Sequence, residues 1–451
     1  MKQGKIFKKL NENFKADVYP FHMPGHKRRL YPEGFENVYG CDITEIEGFD
    51  DLHNPNDLIK EVMDEAKDFY GTKATYYLIN GSSCGNLAAI CALTEFGDKI
   101  LMAKNCHKSV YNAVKIRNLN ADIVNTDDNG EVHLEEVKKH LDINGDAIKL
   151  CIITSPTYEG VISDIRSIAK LCKEKGVKLI VDEAHGAHLL TEDFPASAIK
   201  CGADIVIQSL HKTLPSLTQT ALFHVCSDEI DQNKIREYLG VFESSSPSYV
   251  LMGSIDSCVS YMKEHGGKEL NEFSNRLDDF YERVSGIKIL SINRYKEAYE
   301  HDKSKIVIGL SKEYRDEFDK AYKNGFGVVL GNVFRYRYGI EIEMSAKDYV
   351  IIMTSIADKQ EGFDRLKEAI LSIDKLLSDD MECFKDVDEL ERKKHNVDID
   401  YLKSSIHDKS QVSVYVYPPG VPIIANGDII TEDAIKEIEL YLEKGCNCYQ
   451  V

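Results

Sequence analysis

Two rhythms of apolar and polar residues alternate along this chain. From 58 to 70, LIKEVMDEAKDFY has apolar residues at 58, 59, 62, 63, 66, 69 and 70, the spacing of one helix face. Short apolar runs of another kind follow. ATYYLI (74–79), KILMA (99–103), AIKLCIITS (147–155), KLIVDEA (178–184), DIVIQSL (204–210) and TALFHV (220–225) read as strands. Between them LAAICALTEF (87–96), SVYNAVKIRN (109–118) and DIRSIAKLCKEKG (164–176) read as helices, the last with a glycine stop. GSSCGN (81–86) reads as a tight turn ahead of its helix. Strands and helices taking turns predict an α/β domain whose mostly parallel sheet is flanked by helices. Residues 1–60 show little periodicity, and PFHMPGHKRR (20–29) and GFDDLHNPNDL (48–58) read as ordered loops.

The second half changes character. A long helical pattern over about 255–285 leaves the sheet region, and KIVIGL (305–310), YGIEIEMS (338–345) and YVIIMTS (349–355) read as strands. Helical stretches follow near 359–378 and 382–403, then strand, proline turn, strand and turn over 413–431, and a last helix at 432–445. The expected organisation is an N-terminal arm with loops (1–57), a large domain (58–270) and a smaller C-terminal α+β region (271–451).

Composition narrows the class. A length of 451 residues is about three domains' worth at roughly 150 each, or one large domain plus a smaller one. With 43% hydrophobic and 29% charged residues the chain fits a soluble globular protein and excludes collagenous or wholly disordered classes. The net charge of −19 repels phosphate backbones, so no nucleic-acid partner is expected. No run approaches the roughly 18 apolar residues of a membrane span. The basic start MKQGKIFKKLNENFK lacks the apolar core of a secretory signal. Twelve cysteines, none in a CxxC pair, support neither a zinc ribbon nor a disulfide framework, and the expected compartment is the reducing cytoplasm. The CxC of Cys446 and Cys448 reads as a solvated tail rather than a metal or redox site.

In parallel sheets ligands bind beyond the carboxyl ends of the strands, and the chemically interesting residues fall there. Lys212, in QSLHKTLPSLTQTAL, follows an apolar strand. Burial lowers a lysine's pKa and makes it a nucleophile able to form a Schiff base; a surface loop lysine is the alternative. Asp182 ends an apolar strand, where a carboxylate either caps a helix or meets a cation such as a protonated cofactor ring nitrogen. His185, three residues on, could donate to a phenolic oxygen; its alternative is a metal pair with His188, which Gly186 weakens. Gly81-Ser82-Ser83-Cys84-Gly85, leading into a helix, suits one phosphate, with Ser209 and His211 able to complete the cup. His107, at a helix start after a strand, either stacks on a flat ring or has no role.

Taken together, VDEAHGAHL, QSLHKTLPSLTQTA, NGSSCGN, NCHKSV, SPTYEG, FHMPGHK and YPPGVP resemble the ornithine/lysine/arginine decarboxylase family, in its compact form without an N-terminal wing domain. The resemblance runs from about 18 to 260 and resumes at 413–431. It implies a fold type I, pyridoxal-5′-phosphate-dependent enzyme, active as a homodimer or larger assembly. Lys212 matches the Schiff-base lysine, Asp182 the ring-nitrogen partner, His185 the neighbour of the phenolic oxygen and His107 the stacking histidine. Ser82, Ser83, Ser209 and His211, with Cys84 in the same turn, match cofactor contacts, and Ser155 falls where this fold often meets the ring oxygen. His22, Pro24, Gly25, His26 and Lys27 match a segment near the active-site mouth.

The resemblance also has departures. Where relatives carry Ala-Glu before YPPG and PGE after it, this chain has Gln411-Val412 and Asn426-Gly427-Asp428. If the missing glutamate serves the substrate's distal cation, this chain handles a different side chain or uses another acid; loop acids such as Asp50, Asp51 and Glu159 either meet a cationic side chain or, more often for such residues, are simply solvated. The expected reaction is decarboxylation of lysine, arginine or ornithine, with Lys212 or His211 returning a proton to the α-carbon. Transamination, with Arg335 or Arg337 clamping a carboxylate, another pyridoxal-phosphate-dependent lyase reaction on the same fold, and a catalytically silent regulatory or binding protein are the competing readings.

Overall fold

The computed structural model describes residues 3–16, 22–24, 26–28, 32–144, 147–292, 297–388, 396–416 and 421–451. Gly25 and the YPPG segment (417–420) lie outside the described residues. The chain divides into two compact units, 1–157 with 161–271, and 158–160 with 272–451.

The first unit opens with α1 (Lys5–Lys15), α2 (Glu36–Cys41) and α3 (Leu58–Tyr70). Its alternating part runs β1 (Ala74–Leu78), α4 (Gly81–Leu93), β2 (Lys99–Ala103), α5 (Lys108–Arg117), β3 (Asn120–Val124), α6 (Leu134–Asn144) and β4 (Ile148–Thr154). The chain continues through β5 (Val161–Ile162), α7 (Ile165–Glu174), β6 (Lys178–Asp182), α8 (Ala198–Cys201), β7 (Ile205–Ser209), α9 (Leu210–Thr213), β8 (Ala221–Val225) and α10 (Gln232–Phe242) to the start of α11 (Tyr249–Arg283). Seven strands form one sheet in the order β1-β8-β7-β6-β4-β2-β3. Only β8 runs against its neighbours, β1 and β7; the pairs from β7 to β3 are parallel.

Strands covered on both faces are apolar along most of their length. Accordingly Ile152, Ile180, Val206 and Ile207 have no exposed surface, and burial of each contributes about 1.5–3 kcal/mol. The covering helices present one face. In α7 the buried residues Ile165, Ile168, Ala169 and Cys172 form the inward stripe. Asp164 caps its N-terminus by accepting from the Ser167 amide at 3.0 Å.

The second unit holds a four-stranded antiparallel sheet, in the order Met344–Ser345, Tyr349–Met353, Lys305–Leu310 and Leu290–Ile292. It also holds a three-stranded sheet in which Val414–Val416 lies between Val421–Ile424 and Cys448–Gln450. No helix among the described residues is long and apolar enough to cross a membrane.

Several expectations are corrected. Residues 81–86 are not a turn: α4 starts at Gly81. Gly85 is there for packing, since a Cβ would sit 2.8 Å from Leu78 Cδ1 and 3.0 Å from Ile207 Cγ2. The irregular N-terminus contains α1, whose Ile6 and Leu10 are buried beneath a lysine-rich face that masked the periodicity. Residues 338–345 are no full strand: a helix ends at Tyr338, Gly339 takes φ +60°, and only Met344–Ser345 pair. Over 382–403 the structure has two short helices, Lys385–Asp388 and Ile399–Ser404, with 389–395 outside the described residues. Cys446 and Cys448 are no solvated tail, being 2% and 0% exposed, and Cys448 pairs with Val416 in the sheet.

Candidate active site

The carboxyl ends of β4, β6 and β7 bring the predicted residues together in the first unit. β6 ends on Asp182, which is 2% exposed. The Ala184 amide donates to its Oδ1 at 3.2 Å, which starts the turn that brings His185 back over the strand ends. Gly186 makes that turn possible, because a Cβ would lie 2.5 Å from Glu183 Cγ.

β7 ends on Ser209, and α9 follows at once. Leu210 and Thr213 are buried, which leaves His211 and Lys212 half-buried on the other side of this short turn. The Lys212 Nζ lies 2.9 Å from His185 Nε2. His211 Nδ1 lies 2.9 Å from the Thr220 carbonyl. A carbonyl only accepts, so Nδ1 carries the proton and Nε2 keeps a lone pair. Burial, reinforced by the Lys212 charge, lowers the His211 pKa against the pull of that carbonyl.

Asp182 has a second partner that sequence reasoning missed. The fully buried Asn86 donates to Asp182 Oδ2 at 2.8 Å and to Ser109 Oγ at 3.0 Å. Ser109 in turn contacts His107 Nδ1 through its hydroxyl at 2.9 Å and its amide at 3.2 Å. His107 caps α5, and accepting from an amide puts its own proton on Nε2. Burial lowers its pKa, and Lys212 adds to this while Asp182 opposes it. The visible signal was a lone amide in the small, apolar run CGNLAAIC. Asn86 Oδ1 is itself a buried acceptor without a hydrogen-bond partner.

At the start of α4, Ser82 Oγ accepts from Ser209 Oγ at 3.0 Å. Asn80 makes no side-chain cap at the start of this 13-residue helix, and the Gly81 amide donates to the Gln219 carbonyl at 2.8 Å. Ser83 follows on the same turn. Cys84 does not share the cup, which corrects the expectation for its side chain. Its buried thiol has one proton to donate and two acceptors within reach, Gly81 O at 3.0 Å and Glu243 Oε1 at 3.1 Å. Ser155 lies beside Asp182, donating its amide to the Asp182 carbonyl at 3.1 Å and accepting from the Ser163 amide at 3.3 Å.

Other candidates are committed elsewhere. His26 meets Asp42 at 3.2 Å and the Tyr39 ring at 4.5 Å, and Lys27 donates to the His22 carbonyl. Glu159 accepts from the Tyr349 hydroxyl at 2.8 Å, and Asp51 from the His53 amide at 2.9 Å. At the departures, Asp428 accepts from the Ala425 amide at 2.8 Å, closing the turn at Gly427. Asn426 donates to the Gln411 carbonyl at 2.6 Å. His185 and His188 belong to no cluster able to hold a metal among the described residues.

Asp50 has a structural task. Its carboxylate accepts from the amides of Asp51, Asn56, Asp57, Ile59 and Lys60 and so caps α3. Burial pushes its pKa up, but these amides outweigh it and hold the carboxyl below the usual aspartate value. A depressed acid stabilises the fold above its unfolded pKa, and the contribution is lost as pH falls through the folded one. Asp50→Ala therefore lowers stability at neutral pH by about 1–2 kcal/mol. In urea melts the gap from wild type narrows below the ordinary aspartate range; a gap independent of pH contradicts this.

Comparison with known proteins gives the family and the fold. The family model described as "Orn/Lys/Arg decarboxylase, major domain" matches residues 5–297. An uncharacterised protein of Bacillus subtilis strain 168, YaaO, is 30% identical over 96% of this chain and 93% of its own length. The arginine decarboxylase of the same strain is 28% identical over 98% and 94%. Among solved structures, the Francisella novicida lysine decarboxylase LdcF superposes with a TM-score of 0.79 at 17% identity, over 99% of this chain and 79% of that one. Lysine decarboxylase A of Pseudomonas aeruginosa gives 0.76 at 18%, over 98% and 76%.

Proposed function

This chain belongs to the Orn/Lys/Arg decarboxylase family, and we propose that it removes the α-carboxyl group of arginine, or of another basic amino acid, leaving the amine. Pyridoxal 5′-phosphate is the cofactor of this family, and the residues present fit it. The observation that carries the reading is the Asp182 carboxylate, buried and bonded to an amide side chain and a backbone amide, with no ion pair among the described residues. A buried carboxylate without a counter-charge is costly, and a protonated ring nitrogen supplies that charge. Lys212 provides the amine for the cofactor's carbonyl carbon, and Ser82, Ser209 and the α4 amides provide donors for its phosphate.

When bound, the cofactor supplies an electron sink for the bond broken at the substrate's α-carbon. The chain's own groups do the rest. Asp182, held by Asn86, keeps a proton at the ring nitrogen. His185 Nε2 exchanges a hydrogen bond with Lys212 Nζ and so holds that amine in place. His107 offers a flat imidazole, fixed by Ser109. Lys212, or His211 through its free Nε2, returns a proton to the α-carbon. The arginines of the transamination reading are engaged within their own unit. Arg335 Nε donates to Glu341 at 2.8 Å, and Arg337 pairs with Asp386 and lies over the Phe384 ring.

Arginine is put first because the arginine decarboxylase of B. subtilis aligns over nearly the full length of both chains. The same reading carries a homodimer or larger assembly and a cytoplasmic location, supported by the family resemblance. Incubating cofactor-loaded protein with arginine, lysine and ornithine together tests it. The expected result is agmatine as the dominant amine by mass; cadaverine or putrescine in its place refutes the arginine assignment.

A further inference from the structure

Beneath the strand ends lies a line of buried polar side chains that the reaction does not use. It takes one residue from each of four adjacent strand positions. Thr75 of β1 contacts His224 Nδ1 of β8 at 2.9 Å, and His224 Nε2 meets Gln208 Oε1 of β7 at 3.2 Å. Gln208 Nε2 then donates to Oε2 of Glu183, the residue after β6, at 2.6 Å. Thr75, His224, Gln208 and Glu183 are 3%, 0%, 0% and 1% exposed.

With Glu183 ionised, the direction of these bonds follows from the chemistry of each group. Gln208 donates to the carboxylate, so its carbonyl faces His224 and accepts from Nε2–H. Burial lowers the His224 pKa to about 3, so the ring is neutral and its Nδ1 must accept from the Thr75 hydroxyl. Every donor therefore points towards Glu183. Ser197 Oγ and the Ala198 amide add donors at 2.6 and 2.7 Å. Glu183 has no ion pair among the described residues, and the donors stand where a cation otherwise would. Burial still raises its carboxyl to about 7.

Position gives the line a consequence. Glu183 follows Asp182, and Gln208 precedes Ser209 and the turn bearing Lys212. Glu183 grips β7 twice, through its side chain to Gln208 and through its amide to the Ile207 carbonyl at 2.9 Å. We propose that Glu183 is a positioning residue of the cofactor site, acting through the one-way Thr75–His224–Gln208–Glu183 line to hold the ends of β6 and β7 in register. This rests on the reading of Asp182 and Lys212 as the residues that hold the cofactor.

A swap of side chains separates polarity from mere packing. Glu183→Gln keeps shape but leaves a single acceptor oxygen where Gln208, Ser197 and the Ala198 amide all donate. The double variant Glu183→Gln/Gln208→Glu restores one donor and one acceptor at that contact and still accepts from His224. Pyridoxal phosphate binding is measured by fluorescence titration of the full-length apoprotein, with circular dichroism as the folding control. The single variant binds the cofactor about tenfold more weakly or worse, and the double variant recovers to within about threefold of wild type. A single variant that fails to fold beside a double variant that folds and binds also supports the inference. A single variant with wild-type affinity, or a double variant no better than the single or equally unfolded, overturns it. Wild-type protein that takes up no cofactor overturns the site reading as well.

Discussion

Lys212→Ala reduces decarboxylation by about four orders of magnitude or more and abolishes the near-visible absorbance of the lysine-linked cofactor. The reason is local. In α9, Leu210 and Thr213 are buried and anchor the turn. Lys212 is half-buried, with His185 Nε2 at 2.9 Å. Removing its side chain therefore takes away an amine without opening a core cavity. The melting temperature of the apoprotein stays within a few degrees of wild type, so the loss is chemical. Lys212→Arg sharpens the test. Arginine keeps the positive charge but is not deprotonated in proteins and cannot serve as the nucleophile, so it is expected to fail as alanine does. An absorbance band that survives in either variant contradicts the assignment.

Asp182→Asn leaves the cofactor bound and slows turnover by about two to three orders of magnitude. Asparagine matches aspartate in shape, and its oxygen can still accept from Asn86, so the chain His107–Ser109–Asn86 keeps its geometry. What disappears is the charge that holds a proton at the ring nitrogen. Binding through Lys212 and the Ser82–Ser209 cup is untouched. The effect should therefore fall on kcat rather than on cofactor affinity, as measured by steady-state kinetics beside a cofactor titration. Unchanged turnover would remove Asp182 from the chemistry.

The parallel strands were legible because burial on both faces forces continuous apolar runs such as KLIVD and IVIQS. The catalytic candidates were legible because they sit where those runs end. β8 was read as a strand but not as the reversed one. The link over 210–220 is short for a parallel crossover, which favours the antiparallel return observed. α4 was shortened because Gly81 and Gly85 were both taken for turn residues. Gly81 has φ +74°, but Gly85 serves close packing against Leu78 and Ile207. Asn86, Ser109 and Glu183 were missed for another reason. Each looks like an ordinary polar residue until the fold joins positions far apart in the chain: Asn86 with Asp182, and Glu183 with Gln208 and Ser197. Cys446 and Cys448 were misplaced because no local pattern tells a short buried edge strand from a tail.

The central claim is that Lys212, Asp182 and their partners direct bond cleavage to the α-carboxyl group. Arginine labelled with carbon-13 in that group, incubated with the cofactor-loaded protein, tests it most directly. Labelled carbon dioxide and agmatine in equal amounts, with no keto acid, is the result this account predicts. Label retained in a keto acid, or no labelled carbon dioxide from any basic amino acid in a protein that carries the cofactor, would contradict it.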